Sequence, residues 1–448
     1  MMKLLTFLMQ TGGHIAGWRH ARAAEKALCD AEFFTSLAVT AERGLFDGVF
    51  LADFVGYHPV KGRDLFANLE TPKLDPLLIL AMMAARTTRL GLIGTASTTY
   101  NEPYDIARRF SSLDHLSQGR AGWNIVTSTM ENEAHNYGRE AHLEHGARYA
   151  RAEELTEVVK KLWDSWEDGA VLGDKASGRY TDPSLIHGVY HKGEHFSVAG
   201  PLTTPRPPQG YPVLVQAGAS DTGKRFAARV AEVIFTSHPS METAAAFRRE
   251  MHDMLAAEGR SADSLKVMTA ITPIIGRTRA DAKALQKELD DSIPNVVAIS
   301  KLEGLLLHFD LSSYPADGPL PHIPSDTPSS IRDRVVDLAR RENLSIAELA
   351  RRVAAGRTSR TIVGTGQDVA DELEAWYSAG AADGFVISPP FLPAALDDFV
   401  DEVVPILQEK GVFRRAYEGR TLRENLGLER PANLFGIDPA LGGVPEIW

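Results

Sequence analysis

"GRAGWNIVTS", residues 119–128, is the stretch on which the fold turns. Ile125 and Val126 are β-branched, Trp123 is aromatic, and Gly119 closes a turn before them, so the run reads as a buried strand. Asn124 interrupts it. Thr127, Ser128 and Thr129 then end it in hydroxyls. A buried strand that turns polar at its C-terminal end must face something there.

The surrounding chain supplies the frame. Strand-like runs occur at 4–10, 48–54, 90–98, 211–218, 232–237, 266–276 and 383–388. Helical patterns separate them at 31–46, 75–89, 103–119, 145–166, 221–231, 240–259 and 279–292, and a last one covers 394–411. Asp75 and Pro76 open the second helix as a cap and a first helical residue. Eight strands alternating with helices predict an α/β fold, a parallel (β/α)8 TIM barrel, as one domain over 1–448. Residues 167–210 and 293–381 are long insertions, expected to act as lids or binding loops, and within the second 329–341 and 343–355 read as helical. Residues 412–448 read as an ordered extension or a subunit-contact arm.

Composition narrows the function. The chain has 448 residues and a formal net charge of −11, which excludes a broad nucleic-acid surface. One cysteine, Cys29, excludes a disulfide framework and any multi-cysteine metal centre, and fits a reducing cytoplasm. Cys29 reads as an ordinary semi-buried residue. No apolar run reaches the roughly 18 residues a membrane span needs. The opening "MMKLLTFLMQTGG" reads as the first strand rather than a signal peptide. No GxGxxG, GxxxxGK[ST] or GxSxG is present, so dinucleotide, P-loop and nucleophile-elbow chemistry have no support.

In a barrel of this kind the site lies at the C-terminal strand ends. That rule selects His14 after strand 1, Asp53 after strand 2, Thr95 on strand 3 and Thr127 to Thr129 on strand 4. Strand 5 is the most informative. "QAGASDTGKRFAA", residues 216–228, is a strand, a small-residue turn and a helix, whose free N–H groups and Ser220 hydroxyl suit an anion. A plain helix cap at Ser220 is the competing reading. "EHGARY" puts His145 and Tyr149 on one helical face, as polar partners for a ligand or as a cap and a core residue. Asp53 follows an apolar strand and needs a partner for its carboxylate. His187, His191 and His195 lie in a glycine-containing segment without helical pattern. Neither they nor His135, His142 and His145 form a recognisable metal set, and no metal is expected.

These residues sit in a longer series: "SQGRAGWNIVTS", "ENEAHNYG", "HGARYARAEEL", "KGEHFSVAGPL", "PQGYPVLVQAGASDTGKRFAA" and "IVGTGQDVADEL". In that order they resemble the nitrilotriacetate monooxygenase branch of the bacterial luciferase-like FMN-dependent monooxygenases. The resemblance implies a luciferase-like barrel that uses reduced FMN and O2 to oxygenate a small amine, sulfur compound or alkane through a flavin C4a-(hydro)peroxide. It implies an NAD(P)H:flavin reductase as the source of FMNH2, a cytoplasmic location, no membrane or nucleic-acid partner, and a homodimer or homotetramer. The family's flavin contacts carry over onto Asp53, Thr95, His145, Tyr149 and Ser220. His14, His58, Thr129 and His308 are pocket candidates. The stretch 303–313, "EGLLLHFDLSS", is shorter than the family pattern. Two alternatives are a deazaflavin-dependent hydride-transfer oxidoreductase of the same superfamily and a non-catalytic flavin-binding protein. Polar residues retained at every strand end, from Asp53 to Ser220, weigh against the second.

Overall fold

The structure, a computed structural model, describes residues 1–9, 12–25, 27, 29–57, 62–68, 73–218, 220–307, 309–323, 330–355 and 360–438. Its centre is eight strands: β1 Lys3–Phe7, β2 Gly48–Leu51, β3 Gly91–Ser97, β4 Ala121–Val126, β5 Val213–Gln216, β6 Val233–Thr236, β7 Lys266–Ile275 and β8 Gly384–Ile387. Each pairs in parallel with the next, and β8 returns to β1, so the sheet closes. This is the (β/α)8 barrel that the alternation predicts, and every observed barrel strand falls on an expected one.

Helices α1 Ala31–Arg43, α2 Pro76–Arg86, α3 Pro103–Leu116, α4 His145–Asp164, α5 Asp221–Val230, α6 Met241–Ala257 and α7 Arg279–Asp291 each follow a strand. The Asp75 carboxylate accepts the N–H groups of Leu77 and Leu78, which starts α2 where the sequence places it. Outward strand residues pack on the helices. Trp123 is fully buried, meets Trp163 of α4 edge-on at 6.3 Å, and donates its indole N–H to the Ala96 carbonyl at 3.1 Å.

The barrel interior is apolar below and polar above. Phe7, Phe50 and Phe235 form a ring cluster with centroids 5.0 to 6.0 Å apart. Leu5, Ile93, Val213, Val233 and Met268 continue it, and Leu422 and Leu426 of the C-terminal segment join the same cluster. A Cβ on Gly91 would lie 2.4 Å from Leu422, so that leucine seats against the strand starts and stops the barrel at its N-terminal end. The extension through residue 438 therefore folds back on its own barrel. Arg414 bonds the Asp47 carboxylate, which also accepts the Leu4 N–H at 2.8 Å. Arg423 holds Glu232.

The two insertions differ in use. Residues 167–210 carry two small antiparallel ribbons and lie along α4, not over the mouth. Glu154 accepts the N–H groups of His195 and Phe196 at 2.9 Å each, and Arg206 pairs with Asp164 at 2.9 Å. That corrects the expectation of a lid there: carboxylates on α4 satisfy the irregular chain. The second insertion holds α8 Asn295–Leu305, α9 Ser330–Glu342 and α10 Ile346–Ala355. Their apolar faces cluster with Ala16 from the loop after β1, which sets this insertion at the mouth. A further strand, Arg360–Gly364, pairs with the second half of β7. Neither that strand nor α8 is legible in the sequence. α11 Gly366–Ser378 and α12, helical from Ala394 to Glu409 through a π-turn at Phe399–Val403, complete the ring. Cys29 is exposed, not semi-buried. Among the described residues no helix is long and apolar enough to cross a membrane.

Candidate active site

The mouth is built first from β2, β3 and β4. Pairing sets Thr95 beside Asn124, and the Asn124 amide donates to the Thr95 hydroxyl at 2.9 Å. The Thr95 hydroxyl in turn donates to the Leu51 carbonyl at 2.9 Å. Asn124 is 3% exposed, and its carbonyl oxygen has no partner. Above them, Ser97 at the end of β3 and Ser128 just past β4 share a hydroxyl bond of 2.8 Å. Ser128 takes a φ of 55°, an uncommon conformation for a non-glycine residue, and Arg148 donates to its carbonyl.

Glu133 fastens this side. It is 1% exposed and accepts the N–H groups of Val55 at 3.2 Å, Thr129 at 3.2 Å and Met130 at 3.1 Å. One carboxylate thus joins the loop after β2 to the loop after β4. Asp53 lies on the first of these loops. Burial, with the nearby charge of Asp75, pushes its carboxyl up to about 6, while Lys73 opposes the shift. A carboxylate so placed can accept from a hydrogen-bond donor that reaches it.

The other side is built from β5, α4 and α5. The Ser220 hydroxyl caps α5 by accepting the Gly223 N–H at 3.1 Å, which leaves its own proton to donate. The helix start keeps unpaired backbone N–H groups, as any such terminus does. Gly218 and Gly223 approach so closely that a Cβ on Gly223 would sit 3.0 Å from the Gly218 Cα. The same Cβ would sit 3.0 Å from the Tyr149 hydroxyl, so that phenol overhangs a concavity made of bare backbone. Tyr149 is held by an edge-on contact with Phe226 at 5.8 Å, and the His145 ring lies 5.0 Å from it.

Asp53 and Thr95 therefore stand together on the β2–β4 side, and His145, Tyr149 and Ser220 on the β4–β5 side. Thr129 is exposed, and its N–H is taken by Glu133. His14 lies elsewhere, after β1. Its Nδ1 accepts the Ala16 N–H at 3.1 Å, so Nε2 carries the proton and faces Asp290 at 3.3 Å. Both ring nitrogens are engaged, which does not suit a free base. His58 and His308, and the Ala219 backbone, lie outside the described residues. His187 and His191 each face a separate carboxylate, Glu167 at 2.7 Å and Glu154 at 3.0 Å. Among the described residues no group of three ligating side chains could hold a metal. Sequence reading left Asn124 open and missed Glu133 and Gly223. An acidic residue in "ENEAHNYG" two turns past a strand end was the available signal for Glu133.

A flavin mononucleotide fits these groups. An unpartnered buried acceptor costs about 1–3 kcal/mol, so Asn124 Oδ1 is better explained by a donor that arrives with a ligand. A flavin ring edge has such N–H donors, and its ribityl hydroxyls can meet Asp53. Across the mouth the donors of the α5 start, Ser220 and Tyr149 suit a phosphate.

The chain is also similar to known proteins. The family description "Luciferase-like monooxygenase" matches residues 5–383. N-acetyl-S-(2-succino)cysteine monooxygenase of Bacillus subtilis (strain 168) is 46% identical over 437 residues, 97% of this chain and 98% of its own. Nitrilotriacetate monooxygenase component A of Aminobacter aminovorans is 46% identical over 439 residues, covering 96% of this chain and 97% of its own. The solved structure of riboflavin lyase with a modified FMN and riboflavin is similar at a TM-score of 0.83 and 35% identity, over 96% of both chains. Structures named for coenzyme F420 match at 14% identity, a likeness of fold alone.

Proposed function

This chain belongs to the luciferase-like monooxygenase family and is a flavin-dependent monooxygenase; on that premise we propose that its flavin is reduced FMN delivered by a separate NAD(P)H:flavin reductase. The name "component A" of one relative supports a partner component. The distant F420 likeness gives the hydride-transfer alternative little support. The substrate is a small organic molecule, an amine or a sulfur compound on the pattern of the relatives' names, with an alkane as the third class. We place the protein in the cytoplasm, as one barrel domain in a homodimer or homotetramer.

The observation that carries this reading is the pairing at one mouth of an unsatisfied buried acceptor, Asn124 Oδ1, with a glycine-lined donor site at Ser220 and Tyr149. Bound reduced flavin supplies the activation of O2. The chain's own residues position it. The N–H groups at the start of α5, with the Ser220 and Tyr149 hydroxyls, hold the phosphate. Asp53 accepts from the ribityl chain or ring, and His145 flanks the phosphate end. Thr95 already donates to Leu51, so toward a ligand it can only accept, as Asn124 Oδ1 does. The helices over the mouth, α8 to α10, keep water from the reacting centre.

Two expected results test these roles. Ser220→Ala should weaken binding of reduced FMN by about 1.5 kcal/mol, roughly tenfold, in an anaerobic titration. Unchanged affinity removes Ser220 from the site. Asp53→Asn should do two opposite things. A carboxyl raised from 3.8 to about 6 contributes stability below pH 3.8 and loses it as pH rises through 6. At pH 8 the ionised group is held at a cost, so the asparagine variant should be more stable there by on the order of 1 kcal/mol. The gain should shrink to about half at pH 5 and vanish only below about pH 3.8, while flavin affinity falls at pH 8. Denaturant melts at the two pH values decide it; a loss of stability at pH 8 contradicts the role.

A further inference from the structure

The turn after β4 is held by two opposite charges. Ser128, with its φ of 55°, sits in a conformation that costs a non-glycine residue free energy, so its surroundings must hold it there. The peptide group that follows it runs from the Ser128 carbonyl to the Thr129 N–H, and it is bound at both ends. Arg148 donates to the carbonyl. Glu133 accepts the N–H at 3.2 Å. A trans peptide is planar, with its C=O and N–H on opposite sides, so the two bonds fix which way the plane faces. Turned over, it would aim the carbonyl at the Glu133 carboxylate and the N–H at the guanidinium, and both contacts would repel. The charges therefore set the direction of this unit as well as its place.

Neither charge is spent on an ion pair with a described residue. Glu133 is 1% exposed and accepts backbone N–H groups. A cap on the short helix Glu131–Asn136 accounts for the Met130 N–H but not for those of Val55 and Thr129. Arg148 is aimed from behind. Its Nη1 also lies 3.2 Å from His142 Nε2, and a guanidinium only donates, so that nitrogen accepts. Nδ1 of the neutral ring then carries the proton and donates it to the Tyr100 hydroxyl at 2.6 Å. What the turn presents is a pair of hydroxyls. Ser128, 8% exposed, meets Ser97 at 2.8 Å. The pair has two protons, and the bond between them uses one. The other has no acceptor among the described residues, and it lies on the mouth side of Asp53 and Thr95.

We propose that the Ser97–Ser128 pair donates to the ligand at the mouth, and that Arg148 and Glu133 are positioning residues that lock the Ser128–Thr129 peptide so that it can. On the flavin reading, from which this takes its meaning, the acceptor belongs to the ring or ribityl part, because the phosphate donors stand on the β4–β5 side. Arg148 and Glu133 act through Ser128.

The test is a double-mutant cycle read by anaerobic titration with reduced FMN and reduced riboflavin. Arg148→Met should weaken both flavins alike, about tenfold each. Ser128→Gly should cost a fewfold through its hydroxyl, and it removes the conformational demand, because glycine enters the left-handed region freely. Adding Arg148→Met to Ser128→Gly should then change either affinity by less than about twofold. A guanidinium that only supported the fold would cost the same factor in both backgrounds, and equal factors overturn the proposal. So do unchanged affinities in Arg148→Met, or a loss confined to FMN, which would move Arg148 to the phosphate. Glu133→Gln keeps the side-chain shape and is the second variant, expected to weaken both flavins about threefold or more. Hydrogen exchange of the ligand-free chain, followed on residues 124–133, separates this proposal from the flavin reading. Arg148→Met should lower protection at Thr129 and Met130 about tenfold or more, with the barrel strands unchanged. That loss in a protein that binds neither flavin supports the lock and sinks the flavin reading alone. Unchanged protection in both Arg148→Met and Glu133→Gln overturns the lock, whatever the flavin affinity.

Discussion

Arg414→Met should cost about 3–5 kcal/mol of stability, the range for breaking a buried ion pair from one side. Arg414 is 4% exposed, and Asp47 is fully buried. Removing the guanidinium leaves the Asp47 carboxylate with the Leu4 N–H at 2.8 Å and no adjacent hydrogen-bonded cation. Arg414 also donates to the Asn425 carbonyl at 3.0 Å, so the segment that carries Leu422 and Leu426 loses one of its anchors. The effect has a built-in control. Adding Asp47→Asn to the variant should restore part of the loss, because the buried charge is then gone. Urea unfolding with an unchanged m-value reads this out. A cost below about 1 kcal/mol would mean that the C-terminal segment does not stop the barrel in the way its contacts indicate.

The double variant Tyr149→Phe with Ser220→Ala should weaken reduced FMN by roughly 100-fold. Each hydroxyl is proposed to donate to a phosphate, and a hydrogen bond to a charged group contributes about 1.5–3 kcal/mol. The two sit on different elements around one glycine concavity, so the double change leaves only backbone N–H groups for the anion. Stability should fall by about 1 kcal/mol, the cost of the lost helix cap. Reduced riboflavin, which has no phosphate, should bind wild type and the double variant alike. A comparable loss with riboflavin would move these residues from the phosphate to the ring.

The strands were legible because burial on both faces forces continuous apolar runs, and turns with glycine interrupt them. "GRAGWNIVTS" shows both the reach and the limit. Its apolar residues marked β4, and its hydroxyls marked the mouth. The reason for Asn124 was not there, because it depends on Thr95, 29 positions away and one strand over. Glu133 was hidden for the same reason: its partners are backbone N–H groups of two separate loops, which leave no side-chain pattern. The barrel stop was harder still. Arg414 and Asp47 lie 367 positions apart, and Leu422 has no periodic neighbours to announce a buried face. The insertion at 167–210 was read by composition, which gives irregular structure but not where it docks. His14 shows the opposite error. Its place after strand 1 was right for the mouth, but the Ala16 N–H that occupies Nδ1 could not be seen.

The most direct test of the account is an anaerobic titration of the purified chain with reduced FMN, with reduced riboflavin alongside. The account predicts a dissociation constant for reduced FMN of about a micromolar or below, near −8 kcal/mol, and riboflavin binding at least tenfold weaker. Absence of saturation by about 100 μM, or equal affinity for the two flavins, would contradict a phosphate-anchored flavin at this barrel mouth.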